Sequence, residues 1–208
     1  MKIVVKFGGS SLASAEQFKK VADIIHADPH RRFVVPSAPG KRFDGDTKVT
    51  DMLYGCYDLA EAGKDFDGAL ADIKARYDEI IEGLELDLTL DKEFETIHEQ
   101  FRLKAGRNYA ASRGEYLNGI VLANYLGFEF VDAATVIRFD DAGNFEADRT
   151  DLILSSRLKD VEYAVVPGFY GAQDDGVVTT FSRGGFFISS GFWAKRVRSG
   201  LYLDVRID

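Results

Sequence analysis

The chain has 208 residues, with 26 Lys and Arg against 34 Asp and Glu and a formal net charge of −8 at pH 7, which excludes a generally basic nucleic-acid binder. Hydrophobic residues make up 46%, and 16 Phe and 9 Tyr supply bulky core material, so the composition is that of a folded domain rather than a disordered tract. Cys56 has no second cysteine to pair with, and His26, His30 and His98 lack metal-ligand spacing, so no metal site is expected and a reducing cytoplasm fits.

The first strand starts directly after Met1, and no apolar run approaches the roughly 18 residues of a membrane span, so no targeting segment or membrane partner is expected. Ile3 to Val5 runs into Lys6-Phe7-Gly8-Gly9-Ser10-Ser11, a strand entering a glycine loop. Ser14 and Gln17 have capping-box spacing, and Phe18, Val21, Ala22 and Ile25 mark one helix face before Asp28-Pro29 stops it. Phe33 to Val35 reads as a second, parallel strand, ended by Pro36-Ser37-Ala38-Pro39-Gly40. In the middle third, Phe66, Leu70, Ile73, Tyr77 and Ile80 share one helix face and Phe94, Ile97 and Phe101 another. This is an antiparallel helix pair, bent at Gly83 to Leu90, and is read as an insertion over about 55–107. Ser112 with Glu115 suggests a second capping box opening a helix that buries Leu117, Ile120, Val121 and Leu122 and ends at Gly127. Phe128 to Val131, Val161 to Val166 and Val177 to Phe181 are further strands. A hairpin over Val136 to Glu146 and a short helix from Asp148 to about Leu158 lie among them.

Strands alternating with helices predict a three-layer α/β/α sandwich with a mostly parallel central sheet. Ligands of such sheets bind beyond the carboxyl ends of the strands, so Lys6, residues 36–41, Gly168 and Arg183 should gather at one rim. A lysine at a strand end followed by small residues can cradle a phosphate on backbone N–H groups, although a tight turn with a snorkelling lysine accounts for the same residues. No Walker A sequence occurs. Asp51 reads equally as a first-turn dipole partner, Glu115 as a cap, and Arg183 as a surface turn residue or a bidentate anion ligand.

Taken in order, Val5-Lys6-Phe7-Gly8-Gly9-Ser10-Ser11, Lys48-Val49-Thr50-Asp51, Ser112-Arg113-Gly114-Glu115, Pro167-Gly168-Phe169-Tyr170-Gly171 and Thr180-Phe181-Ser182-Arg183-Gly184-Gly185 resemble the aspartokinases, within the amino-acid-kinase fold. The resemblance implies ATP-dependent phosphorylation of the side-chain carboxylate of L-aspartate, with Mg²⁺ brought by the nucleotide. It implies that Lys6, Gly8, Gly9 and Ser10 hold the phosphoryl group, Lys6 being catalytic, while Thr50, Glu115, Phe169 and Arg183 line the aspartate pocket. Acetylglutamate or glutamate kinase would share the sheet and the lysine-glycine loop, and a homo-oligomer is compatible. Residues 1–208 then represent part of a catalytic domain, without the remaining nucleotide-binding segment and the ACT regulatory domains. Phe186 and Phe187 stand where the family continues with Ser-Asp, which makes a non-catalytic fragment the alternative from another class.

Overall fold

The structure, a computed structural model, describes residues 2–181 and the backbone of a strand at 202–204. The expectations for Arg183, Phe186, Phe187 and the helix after them lie outside the described residues. The order is β1 (Ile3–Phe7), a 3-10 turn (Ser10–Leu12), α1 (Ala15–His26), β2 (Arg31–Pro36), α2 (Val49–Glu61), α3 (Asp67–Gly83), α4 (Asp91–Arg102) and α5 (Arg107–Leu126). It continues with β3 (Glu129–Phe130), α6 (Ala133–Val136), α7 (Ala147–Arg157), β4 (Ala164–Val165), β5 (Tyr170–Ala172), β6 (Val178–Thr180) and β7 (Tyr202–Asp204).

The main sheet has the order β3-β4-β2-β1-β7, and each neighbouring pair is parallel. Its strands are short apolar runs because both faces are covered. Ile3, Val5, Phe7, Val34 and Val165 enter one core with α1 to α5, whereas Val4, Phe33, Val35, Ala164 and Val166 enter a second core with α6 and α7. Strand alternation thus sorts the side chains into two layers around the sheet, the predicted α/β/α sandwich. β5 and β6 stand apart as an antiparallel hairpin.

The pair α3 and α4 buries Leu70, Ile73, Tyr77 and Ile80 and Phe94, Ile97 and Phe101 in the same core as β1, α2 and α5. Tyr57 of α2 meets Phe101 edge to face at 5.3 Å. Helix α2 has the buried stripe Val49, Leu53, Cys56, Tyr57 and Ala60, a helical spacing that the sequence reading carried no further than its first turn. Among the described residues no helix is long and apolar enough to cross a membrane.

Two capping expectations fail. Ser14 does precede α1, but its side chain makes no capping bond, because the hydroxyl bonds the nearby Glu16 carboxylate instead. Ser112 and Glu115 lie inside α5, which starts at Arg107 after Gly106 in a left-handed conformation (φ 97°). Helix-favouring Ala110 and Ala111 carry the helix through this segment, and the Ser112 hydroxyl bonds back to the Tyr109 carbonyl at 2.7 Å. Gly127 does close α5 in the left-handed conformation.

Gly119 sets how close α5 lies to the sheet, since a Cβ there would come within 2.7 Å of Pro167 Cγ and 2.9 Å of the Phe130 ring. Gly119→Ala gains up to about 1 kcal/mol of helix propensity but overpacks rigid neighbours at a cost of about 1–3 kcal/mol. The expected outcome is a lower Tm by thermal unfolding, and a Tm above that of the parent would contradict this packing.

Candidate active site at the strand-end rim

Parallel pairing of β1 with β2 brings their carboxyl ends side by side, Lys6 opposite Val35 and Phe7 opposite Pro36. The loops beyond them touch through backbone. Ser37 N–H donates to the Phe7 carbonyl at 3.1 Å, and Gly40 N–H donates to the Gly9 carbonyl at 2.8 Å. A Cβ on Gly40 would lie 2.6 Å from the Gly9 carbonyl carbon, and one on Gly9 would lie 2.8 Å from the Ala38 oxygen. Gly9 has an ordinary right-handed conformation (φ −63°), so glycine is required there for approach rather than for its dihedrals. A Cβ on Gly8 would meet nothing within 4 Å among the described residues, so glycine there faces open space. Lys6 is a buried residue, 8% exposed, and not the exposed strand-end lysine expected from the sequence. Ser10 is exposed.

Helix α5 meets the second loop along one face. A Cβ on Gly114 would come within 2.7 Å of Ala38 Cβ and 3.7 Å of Thr50 Oγ1, so Thr50, in the first turn of α2, lies beside Gly114. Tyr77 O–H donates to the Gly114 carbonyl at 2.9 Å, and Asn118 Nδ2 donates to the Ser37 carbonyl at 2.6 Å. The Ala38 N–H donates to the Glu115 carboxylate. Glu115 is 7% exposed, and neither its Oε2 nor Asn118 Oδ1 has a hydrogen-bond partner among the described residues. Burial pushes the Glu115 carboxyl up to about 7, against the pull of the Ala38 N–H, its own N–H and Arg113. Two buried, unpartnered acceptors three residues apart on one helix face are suited to an ammonium group.

Phe169, in the loop after β4, holds a left-handed backbone (φ 73°), which is rare for a bulky residue, and its carbonyl accepts from the Phe181 N–H at 2.9 Å. Its neighbour Tyr170 faces Arg113, whose guanidinium lies over Tyr116 at 4.4 Å, Tyr109 at 4.6 Å and Tyr170 at 5.5 Å. Thus Gly8, Gly9 and Ser10 share the rim with Thr50 and Glu115, and Phe169 joins α5 through the Tyr170–Arg113 contact. Arg183 is outside the described residues. Asn118 was missed by the sequence reading, although a polar residue in the middle of Leu117 to Leu122 is the signal that marks it.

Folded Glu115 keeps its proton between its ordinary value of 4.5 and about 7, where the unfolded chain has released it. The stability contributed by Glu115 is therefore fully present below about pH 4.5 and is lost as pH rises to about 7, by up to about 3 kcal/mol. Glu115→Gln removes this loss. The variant should be more stable than the parent by roughly 1–3 kcal/mol at pH 8 and similar to it at pH 4.5, as read by denaturant unfolding at both pH values. An equal difference at the two pH values would contradict the assignment.

A sequence model of the amino acid kinase family matches residues 1–191. Aspartokinase 3 of Bacillus subtilis (strain 168) is 36% identical over 218 aligned residues, which cover 96% of this chain and 47% of the relative. Lysine-sensitive aspartokinase 3 of Escherichia coli (strain K12) is 27% identical, covering 98% of this chain and 49% of the relative. The crystal structure of Clostridium acetobutylicum aspartate kinase superposes with a TM-score of 0.92 at 44% identity, covering 97% of this chain and 47% of that one. Escherichia coli aspartokinase III in complex with aspartate and ADP shares the fold, with a TM-score of 0.80 at 24% identity over 99% of this chain and 49% of that one. The chain spans about half the length of these relatives. With the match over residues 1–191 and the α/β/α sandwich of the same fold, the chain belongs to the amino acid kinase family.

Proposed function

We propose that the protein of which this chain forms at least a part transfers the γ-phosphoryl group of ATP to the side-chain carboxylate of L-aspartate. A carboxylate oxygen attacks phosphorus, the bond to the β-phosphate oxygen breaks, and 4-phospho-L-aspartate and ADP leave, the first step toward lysine, threonine and methionine. The observation that carries this reading is Glu115, a buried carboxylate with one oxygen unpartnered, bonded to the loop that abuts the glycine cradle. An amino-acid ammonium supplies the missing partner and draws the carboxyl toward its ionised form. The similarity to aspartokinases, one of them solved with aspartate and ADP, points the same way.

The roles follow from chemistry. Phosphoryl transfer needs positioning and charge neutralisation more than a covalent nucleophile. Lys6 supplies positive charge at the end of β1, and the backbone of Gly8, Gly9 and Ser10 supplies N–H donors in a place where Gly8 is open. ATP fits this cradle, and Mg²⁺ carried on its phosphates would lower their charge further. Thr50, Glu115 and Phe169, with Arg183, line the aspartate side in this reading. For Arg183 the role of holding a substrate carboxylate rests on the resemblance, since the residue lies outside the described ones.

The test is acyl phosphate formation by the complete protein, trapped with hydroxylamine, with aspartate, glutamate and N-acetylglutamate offered in turn. Aspartate alone should react, and turnover confined to a glutamate compound would overturn the proposal. Lys6→Met keeps the aliphatic length within the sheet and removes the charge, so kcat should fall about 10²–10³-fold in protein shown to be folded by its thermal unfolding transition. Unchanged kcat would refute the role of Lys6. Because ionised Glu115 pairs with the ammonium, KM for aspartate should fall as pH rises from 6 to 8, and this dependence should be absent in Glu115→Gln.

A further inference from the structure

Arg76 lies on α3 and is 5% exposed. Its guanidinium spans the β2–α2 loop: Nη2 donates to the Gly40 carbonyl at 3.1 Å, and Nη1 donates to the Thr47 carbonyl at 3.3 Å and to Asp46 Oδ2 at 3.1 Å. Asp46 also accepts from Arg42, through Nε at 3.0 Å and the backbone N–H at 2.9 Å, while Arg42 Nη1 reaches Glu79 at 2.7 Å. The shared carboxylate lets two arginines sit together, and its pKa is held well below the usual carboxylate range, chiefly by the hydrogen bond from Arg42. Such a planar fork can grip a carbonyl and a carboxylate at once, which the single ammonium of lysine cannot do in the same geometry.

Gly40 is the residue whose N–H bonds the Gly9 carbonyl and whose Cα packs against Gly9. One residue therefore receives Arg76 on its carbonyl and, across its own Cα, bonds the first loop through its N–H. The Gly9 carbonyl also accepts the Leu12 N–H at 3.1 Å, which closes the 3-10 turn after the cradle. We propose that Arg76 is a positioning residue that fixes the Gly8-Gly9-Ser10 cradle through the Gly40 carbonyl. It touches no reacting atom. The kinetic consequence rests on the kinase reading above, whereas the anchoring of the loop does not.

The experiment measures amide hydrogen exchange by NMR in the 208-residue chain, with three variants. In Arg76→Gln the Gly40 and Leu12 amides, both bonded to the Gly9 carbonyl, should exchange at least tenfold faster, while amides of α7 in the other core keep their rates. Arg76→Lys retains the charge but loses the fork, and should shift the same two amides in the same direction; it carries the test if Arg76→Gln does not fold. Asp46→Asn removes the ion pair but leaves the Gly40 bond, so Gly40 and Leu12 should stay within threefold of the parent. Unchanged Gly40 exchange in the Arg76 variants, acceleration that includes α7, or an equal effect of Asp46→Asn each overturns the proposal. In the complete protein the Arg76 variants should lower kcat at least tenfold with KM for aspartate within twofold, and the reverse split overturns the positioning role. Absence of aspartate phosphorylation in the parent with the exchange pattern intact would sink the kinase reading and leave the anchoring in place.

Discussion

The backbone contact between Gly9 and Gly40 is the constraint on which the rim depends. Two parallel neighbouring strands always deliver their following loops to one edge, but side chains on those loops normally hold the chains apart. Here neither residue has a Cβ, and the Gly9 carbonyl accepts from both Gly40 and Leu12. This brings Ala38 against Gly114 of α5, and Gly114 in turn sits beside Thr50. A helix from the second half of the chain, the start of another helix and two strand ends thus converge because three glycines permit it. An alanine at either Gly9 or Gly40 would meet backbone, which has no rotamer with which to escape.

Around this contact the molecule buries several charged groups, and it treats them differently. Arg76 has the carboxylate of Asp46 and two carbonyls. Arg113 spreads its charge over three tyrosine faces, with the Ser112 hydroxyl accepting from its Nε at 3.0 Å. Glu115 is left with an oxygen that bonds nothing among the described residues. A buried acceptor without a partner costs about 1–3 kcal/mol, and the rise of its pKa to about 7 is that cost expressed as proton affinity. Among the described residues Arg76 leaves only its Nε without a partner while both terminal nitrogens are bonded, whereas Glu115 lacks a partner on an oxygen that carries its charge. A carboxyl with a raised pKa beside a second unpartnered acceptor, Asn118 Oδ1, marks this part of the rim as a candidate ligand-binding place.

Much of the scaffold was legible in the amino-acid order because it rests on period and punctuation. β1, β2, α1 and α7 follow from apolar runs, helical spacing and the Asp28-Pro29 stop, and Gly127 closes α5 as a residue free to adopt positive φ. The start of α5 was misread because Ser112 and Glu115 have the spacing of a cap, and spacing alone does not distinguish a carboxylate that turns to its own N-terminus from one that reaches another loop. Only packing against Ala38 decides it. The glycine loop at the rim was visible as Gly8-Gly9 after a strand. Residues 36–41 were placed at the same rim, but the bond from Arg76 to Gly40 was not legible, because it spans 36 residues and leaves no local pattern.

The placement of the two charges of opposite sign follows from strand alternation. Lys6 has the parity of Val4, which belongs to the core shared with α6 and α7, whereas Val5 and Phe7 on either side of it belong to the core shared with α5. Glu115 sits on α5, among helices of that other layer. The cation suited to a phosphoryl group and the carboxylate suited to an ammonium therefore come to the rim from opposite faces of the sheet. A shift of one residue in β1 would send the lysine to the α5 side, toward the layer that holds Glu115. In the proposed reaction the amino acid must bind by its ammonium at one end and receive phosphorus at the other. Opposite charges reaching the rim from the two faces of the sheet would suit that orientation of the substrate.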